Sequence, residues 1–165
     1  NTAFNDPNPV LFFEHKALYR SIRQEVPSEY FTIPFGQAAL LKEGGSLSII
    51  TYGAPVHWAL DALEEFPELQ VDLLDLRCLQ PLDKESIIKS VQKTGKVLLI
   101  TEDTLFGSIA SDIAAMIAEE CFQFLDAPIA RLGSLETPVP FAAALENVYL
   151  AKSRIVGKIK EIVSF

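Results

Sequence analysis

The stretch Val71–Asp83, VDLLDLRCLQPLD, constrains the fold more than any other part of the chain. Val71, Leu73, Leu74 and Leu76 form an apolar run interrupted only by Asp72 and Asp75, the pattern of a strand buried on at least one face. Arg77–Gln80 then turns the chain into Pro81-Leu82-Asp83. Asp83 stands where a helix N-cap belongs, and Ile87, Ile88 and Val91 give that helix an apolar stripe. Gly95 ends the helix, and Lys96–Thr101 (KVLLIT) is a second apolar strand. Strand, helix and strand within about 30 residues is the size of a βαβ unit. A crossover this short dictates a parallel pair with a right-handed connection.

The same rhythm runs on both sides of this unit. Leu47–Tyr52 (LSIITY) reads as a strand ended by Gly53, and Pro55 suits the first turn of a helix with Val56, Ala59, Leu60, Leu63 and Phe66 on its buried face. The longest helix is expected over Ile109–Leu125, and Pro128–Leu132 is a last short strand. A closing helix begins at Ser153, read as its cap, and buries Ile155, Ile159 and Ile162. Upstream the pattern is less regular. Asn1–Pro9 is a polar, proline-bearing loop, Val10–Phe13 a short strand, and Glu14–Val26 a helix stopped by Pro27. Pro27–Pro34 reads as a linker, so a domain boundary falls there. Gln37–Lys42 is open between a short strand and one helical turn. Alternating strands and helices make an α/β layered sheet.

Composition narrows the function classes. At 165 residues the chain is the size of one domain and long enough to bury roughly 70% of its unfolded surface, so it needs no disulfide or metal staple. A net charge of −8 argues against nucleic acid, which calls for a basic face. No apolar run reaches the ~20 residues of a membrane helix. Cys78 and Cys121 have apolar neighbours and no metal spacing, and read as reduced core residues. The chain begins at Asn1 without a signal-peptide pattern and reads as part of a longer protein.

Ligands of an open parallel sheet bind beyond the carboxyl ends of the strands. The residues expected there are Tyr52-Gly53, Arg77, Glu102-Asp103 and Arg131. Glu102 and Asp103 are adjacent and face different ways, which is poor geometry for a shared acid–base site. They read as loop acids that cap the following helix or pair with Lys or Arg. For Arg77 two readings stand: a grip on a phosphate or carboxylate, or a salt bridge to Asp75 or Asp83 of a neighbouring subunit. His57 reads as a surface or interface residue, and His15, between Glu14 and Lys16, has neither an activating nor a metal-binding partner in sequence. No nucleophile elbow, dinucleotide fingerprint or phosphate loop occurs. The residues alone describe a binding or assembly domain.

Five ordered motifs then carry a resemblance: PVLFFEHKALYR (Pro9–Arg20), SIITYG (Ser48–Gly53), DLRCLQPLD (Asp75–Asp83), KTGKVLLITED (Lys93–Asp103) and FLDAPIARLGSLETPVPF (Phe124–Phe141). In order and spacing they resemble the C-terminal part of the E1 β subunit of thiamine-diphosphate-dependent 2-oxo acid dehydrogenases. FFEHKALYR and EECFQFLDAP point to the branched-chain type. Two departures from the family pattern are Gly107-Ser108, where a Gly-Gly pair is usual, and Ala151, where Pro is usual.

The resemblance implies a three-layer α/β/α domain of the transketolase C-terminal type, over residues 31–165. Its sheet would be five-stranded and mixed, with one antiparallel edge strand, which favours Gln37–Lys42 as that strand. Residues 1–30 would be the tail of a pyrimidine-binding domain plus linker. The whole enzyme would use thiamine diphosphate and magnesium, held by another domain or subunit and not by this chain. The catalytic histidine would lie upstream of it. Asp6 and Asn8 match a potassium-type site. The implied partners are an E1 α part, a second E1 β across a homodimer contact, and the peripheral subunit-binding domain of E2. Phe165, with its ring and free α-carboxylate, is the implied contact to the basic side chains of that small domain. The implied location is the cytoplasm or, alternatively, the mitochondrial matrix. The rival reading is a small-molecule-binding or receiver-like regulatory domain. A receiver needs acids after its first strand, where this chain has Tyr52-Gly53.

Overall fold

The computed structural model describes residues 1–165. Two single-turn helices, α1 (Thr2–Asn5) and α2 (Leu18–Ser21), precede β1 (Ala39–Lys42). From there the chain alternates: β2 (Leu47–Thr51), α3 (Ala54–Leu63), β3 (Val71–Asp75), α4 (Lys84–Thr94), β4 (Val97–Thr104), α5 (Ile109–Cys121) and β5 (Ala130–Ser134). Helices α6 (Ala143–Tyr149) and α7 (Ile155–Val163) close it. The strands form one sheet in the order β1-β3-β2-β4-β5. All neighbours are parallel except β1, which runs antiparallel to β3 at one edge. Gln37–Lys42 thus supplies the antiparallel edge strand and not a helical turn.

Connection handedness explains the layers. The chain steps from β2 outward to β3, then returns over β2 to reach β4. Right-handed crossovers in opposite directions must leave their helices on opposite faces. Accordingly Ile49, Leu73 and Leu98 pack under α3 and α7 with Leu63, Ile155 and Ile159. Ile50, Leu74 and Leu99 point the other way, under α4 and α5, with Ile87, Val91 and Ile117. Both faces of β2 and β3 are covered, which is why their sequences run apolar with little alternation.

Asp83 caps α4 as expected and does more. Its Oδ1 accepts the Ser86 N–H at 3.0 Å, and its Oδ2 accepts the Ala38 N–H at 2.7 Å, tying the helix start to the entry of β1. Burial pushes the carboxyl up, but those two N–H groups and the Ser86 hydroxyl outweigh it, so Asp83 lies below the ordinary carboxylate range. Gly95 ends α4 in the left-handed conformation at φ 66°, its N–H on the Val91 carbonyl.

The departures from the sequence reading are local. Val10–Phe13 is not a strand, because no neighbouring strand takes up its hydrogen bonds. Only Leu18–Ser21 of the expected helix over Glu14–Val26 forms; its stripe of Leu18, Ile22 and Val26 has no core to pack on, and an isolated short helix is unfavourable. Ser153 does not cap α7: a 3-10 turn over Ala151–Arg154 leads into it, and Arg154 holds the cap position without a side-chain bond. The last strand begins two residues later than read and takes in Gly133 and Ser134. Cys121 is buried in the core, whereas Cys78 is only partly buried in the turn after β3; both are free.

Candidate functional site

The strand order reverses between the parallel strands β2 and β4, whose following loops leave toward α3 and α5 on opposite faces. A crevice at such a switch point is where an α/β sheet offers a ligand site. Thr51 and Thr101 end the buried parts of the two strands there. The Thr51 hydroxyl donates to the Ile100 carbonyl at 2.8 Å, and the Tyr52 and Thr101 hydroxyls meet at 3.1 Å. Gly53 turns the chain into α3 at φ 65°, a conformation that favours glycine.

Glu102 and Asp103 diverge, as their adjacency requires. Asp103 accepts the N–H of its own neighbour Thr104, and Glu102 reaches the N-terminal arm, where His15 Nε2 lies 3.0 Å from Glu102 Oε1. An ionised carboxylate only accepts, so Nε2 carries the proton; Nδ1 is buried without a partner. The acids were expected to cap α5 or to pair with Lys or Arg. Glu102 instead takes a histidine 87 positions away in sequence, a contact with no local signal.

Arg77 is occupied within its own chain. Its Nε and Nη2 donate to the Gln37 carbonyl at 3.2 and 2.7 Å, and its backbone N–H, at a left-handed φ of 53°, donates to Asp75 Oδ1 at 3.0 Å. Burial raises the Asp75 carboxyl above the ordinary range, against the opposing pull of Arg77 and of half-buried His57. Arg131 donates to the Ser111 hydroxyl at 2.7 Å. No three His, Cys, Asp or Glu side chains converge anywhere in the chain. The crevice and its rim therefore hold paired hydroxyls, the His15–Glu102 contact and two arginines bonded to a carbonyl and a hydroxyl.

The remaining expected positions lie far apart in sequence and in separate surroundings. Asp6 Oδ1 accepts both the backbone N–H of Asn8, at 2.8 Å, and its side-chain amide, at 3.0 Å, so the pair closes a turn on itself. Phe165 is exposed and lines a cleft of about 270 Å³ with Leu105, Ile129, Arg131 and Lys158, beside the free edge of β5.

The most unusual surface is apolar. No residue before Leu47 is buried. Phe4 is 91% exposed, Phe13 87% and Leu11 84%, and Phe106, Val139, Phe141 and Leu145 are exposed as well. A monomeric soluble protein rarely exposes this much large apolar surface.

A family model, "Transketolase, C-terminal domain", matches residues 36–156. The 2-oxoisovalerate dehydrogenase subunit beta of Bacillus subtilis is 44% identical over 99% of this chain and 51% of the relative. The pyruvate dehydrogenase E1 component subunit beta of Staphylococcus aureus is 41% identical over 96% of this chain and 49% of the relative. The chain thus spans about half the length of these relatives. A solved structure titled "Split gene transketolase, inactive beta4 tetramer" superposes with a TM-score of 0.69 at 26% identity, over 86% of this chain and 46% of that one.

Proposed function

The chain belongs to the transketolase C-terminal domain family, and from that premise we propose that it is the assembly domain of the E1 component of a 2-oxo acid dehydrogenase. The observation that carries this is the exposed apolar surface of the arm and of the region around Phe106 and Phe141. The identities of 44% and 41% to two E1-type β subunits supply the enzyme class. The whole enzyme would oxidatively decarboxylate a branched-chain 2-oxo acid or pyruvate and pass the acyl group to a lipoyl group on E2. Thiamine diphosphate supplies the carbon chemistry when bound.

We assign that cofactor and its magnesium to another domain or subunit. Here the chain's residues bind and orient protein. The arm, residues 1–30, is the tail of an upstream pyrimidine-binding domain, and residues 31–165 hold that domain against an E1 α part and a second E1 β. The β4 tetramer named for the split-gene transketolase structure favours such self-association. Asp6 and Asn8 are proposed as part of a potassium-type site. They bring three side-chain oxygens, one of them already engaged by Asn8, and a hard cation takes about six, so other ligands must complete it. Phe165, exposed beside a cleft at the end of the chain, is proposed as the contact for E2's peripheral subunit-binding domain. Bacterial relatives favour the cytoplasm as the site of action.

Calorimetric titration of the chain with thiamine diphosphate and magnesium should give no heat of binding. Micromolar binding would overturn the assembly reading in favour of a small-molecule-binding domain.

A further inference from the structure

The N-terminal arm is a closed loop held at two places. Its base is clipped: the Asn1 side-chain amide donates to the Phe31 carbonyl at 2.7 Å, Thr2 exchanges hydrogen bonds with Ile33 at 2.6 and 3.0 Å, and the Asn5 amide donates to the Tyr30 hydroxyl at 2.6 Å. Midway between these clips, His15 reaches Glu102. That contact is the one hydrogen bond that joins residues 1–36 to the rest of the chain. It is also better sheltered than its surroundings. The His15 and Glu102 side chains are 33% and 38% exposed, and His15 Nδ1 is shut off from solvent, while the flanking Leu11, Phe12, Phe13 and Tyr19 are exposed.

We infer that His15 and Glu102 form the latch that seats the arm across the carboxyl edge of the sheet. Glu102 sits on β4 directly after Thr101, whose hydroxyl meets Tyr52, so the latch is anchored on the rigid side of the switch-point crevice. With the latch closed, the arm's apolar side chains are held at a fixed place relative to the sheet. With it open, the arm is free between its base clips. A surface fixed before it meets its partner loses less conformational entropy on binding. The latch rests on the reading of the arm as a partner-facing surface only for its purpose; its existence is a property of the chain alone. His15 and Glu102 are positioning residues on this account. They touch no reacting group.

Hydrogen exchange read by mass spectrometry on the full 165-residue chain, at low micromolar concentration, tests it. Within the arm, the Leu18 N–H donates to the His15 carbonyl and the Ile22 N–H to the Leu18 carbonyl, and both report arm opening. Glu102→Ala and His15→Ala should each speed exchange in residues 15–24 by roughly tenfold, the loss expected for one charge-assisted hydrogen bond. The double variant should exchange no faster than either single one, because both remove the same contact. Glu102→Gln, which keeps an acceptor oxygen, should fall between, and Asp103→Ala should match the parent. The amides of β4 serve as the control for a fold left intact. Parent-like exchange in both single variants, or single effects that add in the double, would overturn the latch. Self-association measured separately by sedimentation reports on the assembly reading, so the failure of one is distinguishable from failure of the other.

Discussion

Asp72→Ala should destabilise the chain by roughly 3–5 kcal/mol, the cost of breaking a buried charge from its partners. Asp72 lies on β3 and is 2% exposed. Its Oδ1 accepts from Lys93 Nζ at 2.6 Å and from the Gly44 N–H at 2.8 Å, and its Oδ2 accepts the Ser90 hydroxyl at 2.8 Å. Ser48 then links Ser90 and Thr94 at 2.6 and 2.7 Å. One carboxylate thus holds the turn before β2 and a face of α4 against the sheet. Lys93 is 38% exposed and can turn to water when its partner goes, which sets the cost at the lower end of the range. The half-buried Gly44 N–H loses its acceptor and the buried Ser90 hydroxyl keeps only Ser48, and a buried group left unpaired costs about 1–3 kcal/mol. Asp72→Asn keeps an acceptor and should cost less than half as much. Urea unfolding at neutral pH measures both. A loss under about 1 kcal/mol for Asp72→Ala would show that the network is dispensable.

The second large effect is expected at Ile49, which sits on the central strand β2 and has no exposed surface. It lies in one buried cluster with Ala59 and Leu63 of α3 and Ile159 of α7. Ile49→Ala removes buried methyl groups and leaves a cavity that two helices cannot both collapse into, at a cost of roughly 2–5 kcal/mol. Ile49→Val removes one carbon and should cost roughly 0.5–1.5 kcal/mol. The same urea series distinguishes them. Equal losses for the two variants would mean that the site relaxes around the truncation.

These two residues also mark how far the sequence could be read. Ile49 lies in LSIIT, an apolar β-branched run bounded by glycines, and periodicity placed it in a strand core without help. Asp72 was legible only as an interruption of an apolar run. Its burial follows from Gly44, Ser90 and Lys93 arriving from three other segments, and nothing local announces that convergence. The end of the sheet shows the same limit. Gly133 falls beyond the strand read over Pro128–Leu132, yet it lies in β5, where a side chain would stand 2.5 Å from the Asp103 carbonyl; glycine there allows the close approach of β4. The five-stranded mixed sheet and its antiparallel edge came from the family resemblance and not from periodicity, which left Gln37–Lys42 undecided. The arm was misread for a physical reason: its apolar residues carry strand and helix patterns, but in this chain they have no core to meet. The site's main cross-link, His15 to Glu102, joins segments too distant for any spacing rule.

The central claim is that the exposed apolar surface of this chain is an interface within an oligomer. Sedimentation of the 165-residue chain over a wide range of concentration tests it directly. The account predicts concentration-dependent association into dimers through a two-fold contact. A strict monomer at the highest concentration, with Phe4, Phe13, Phe106 and Phe141 still facing water, would contradict it.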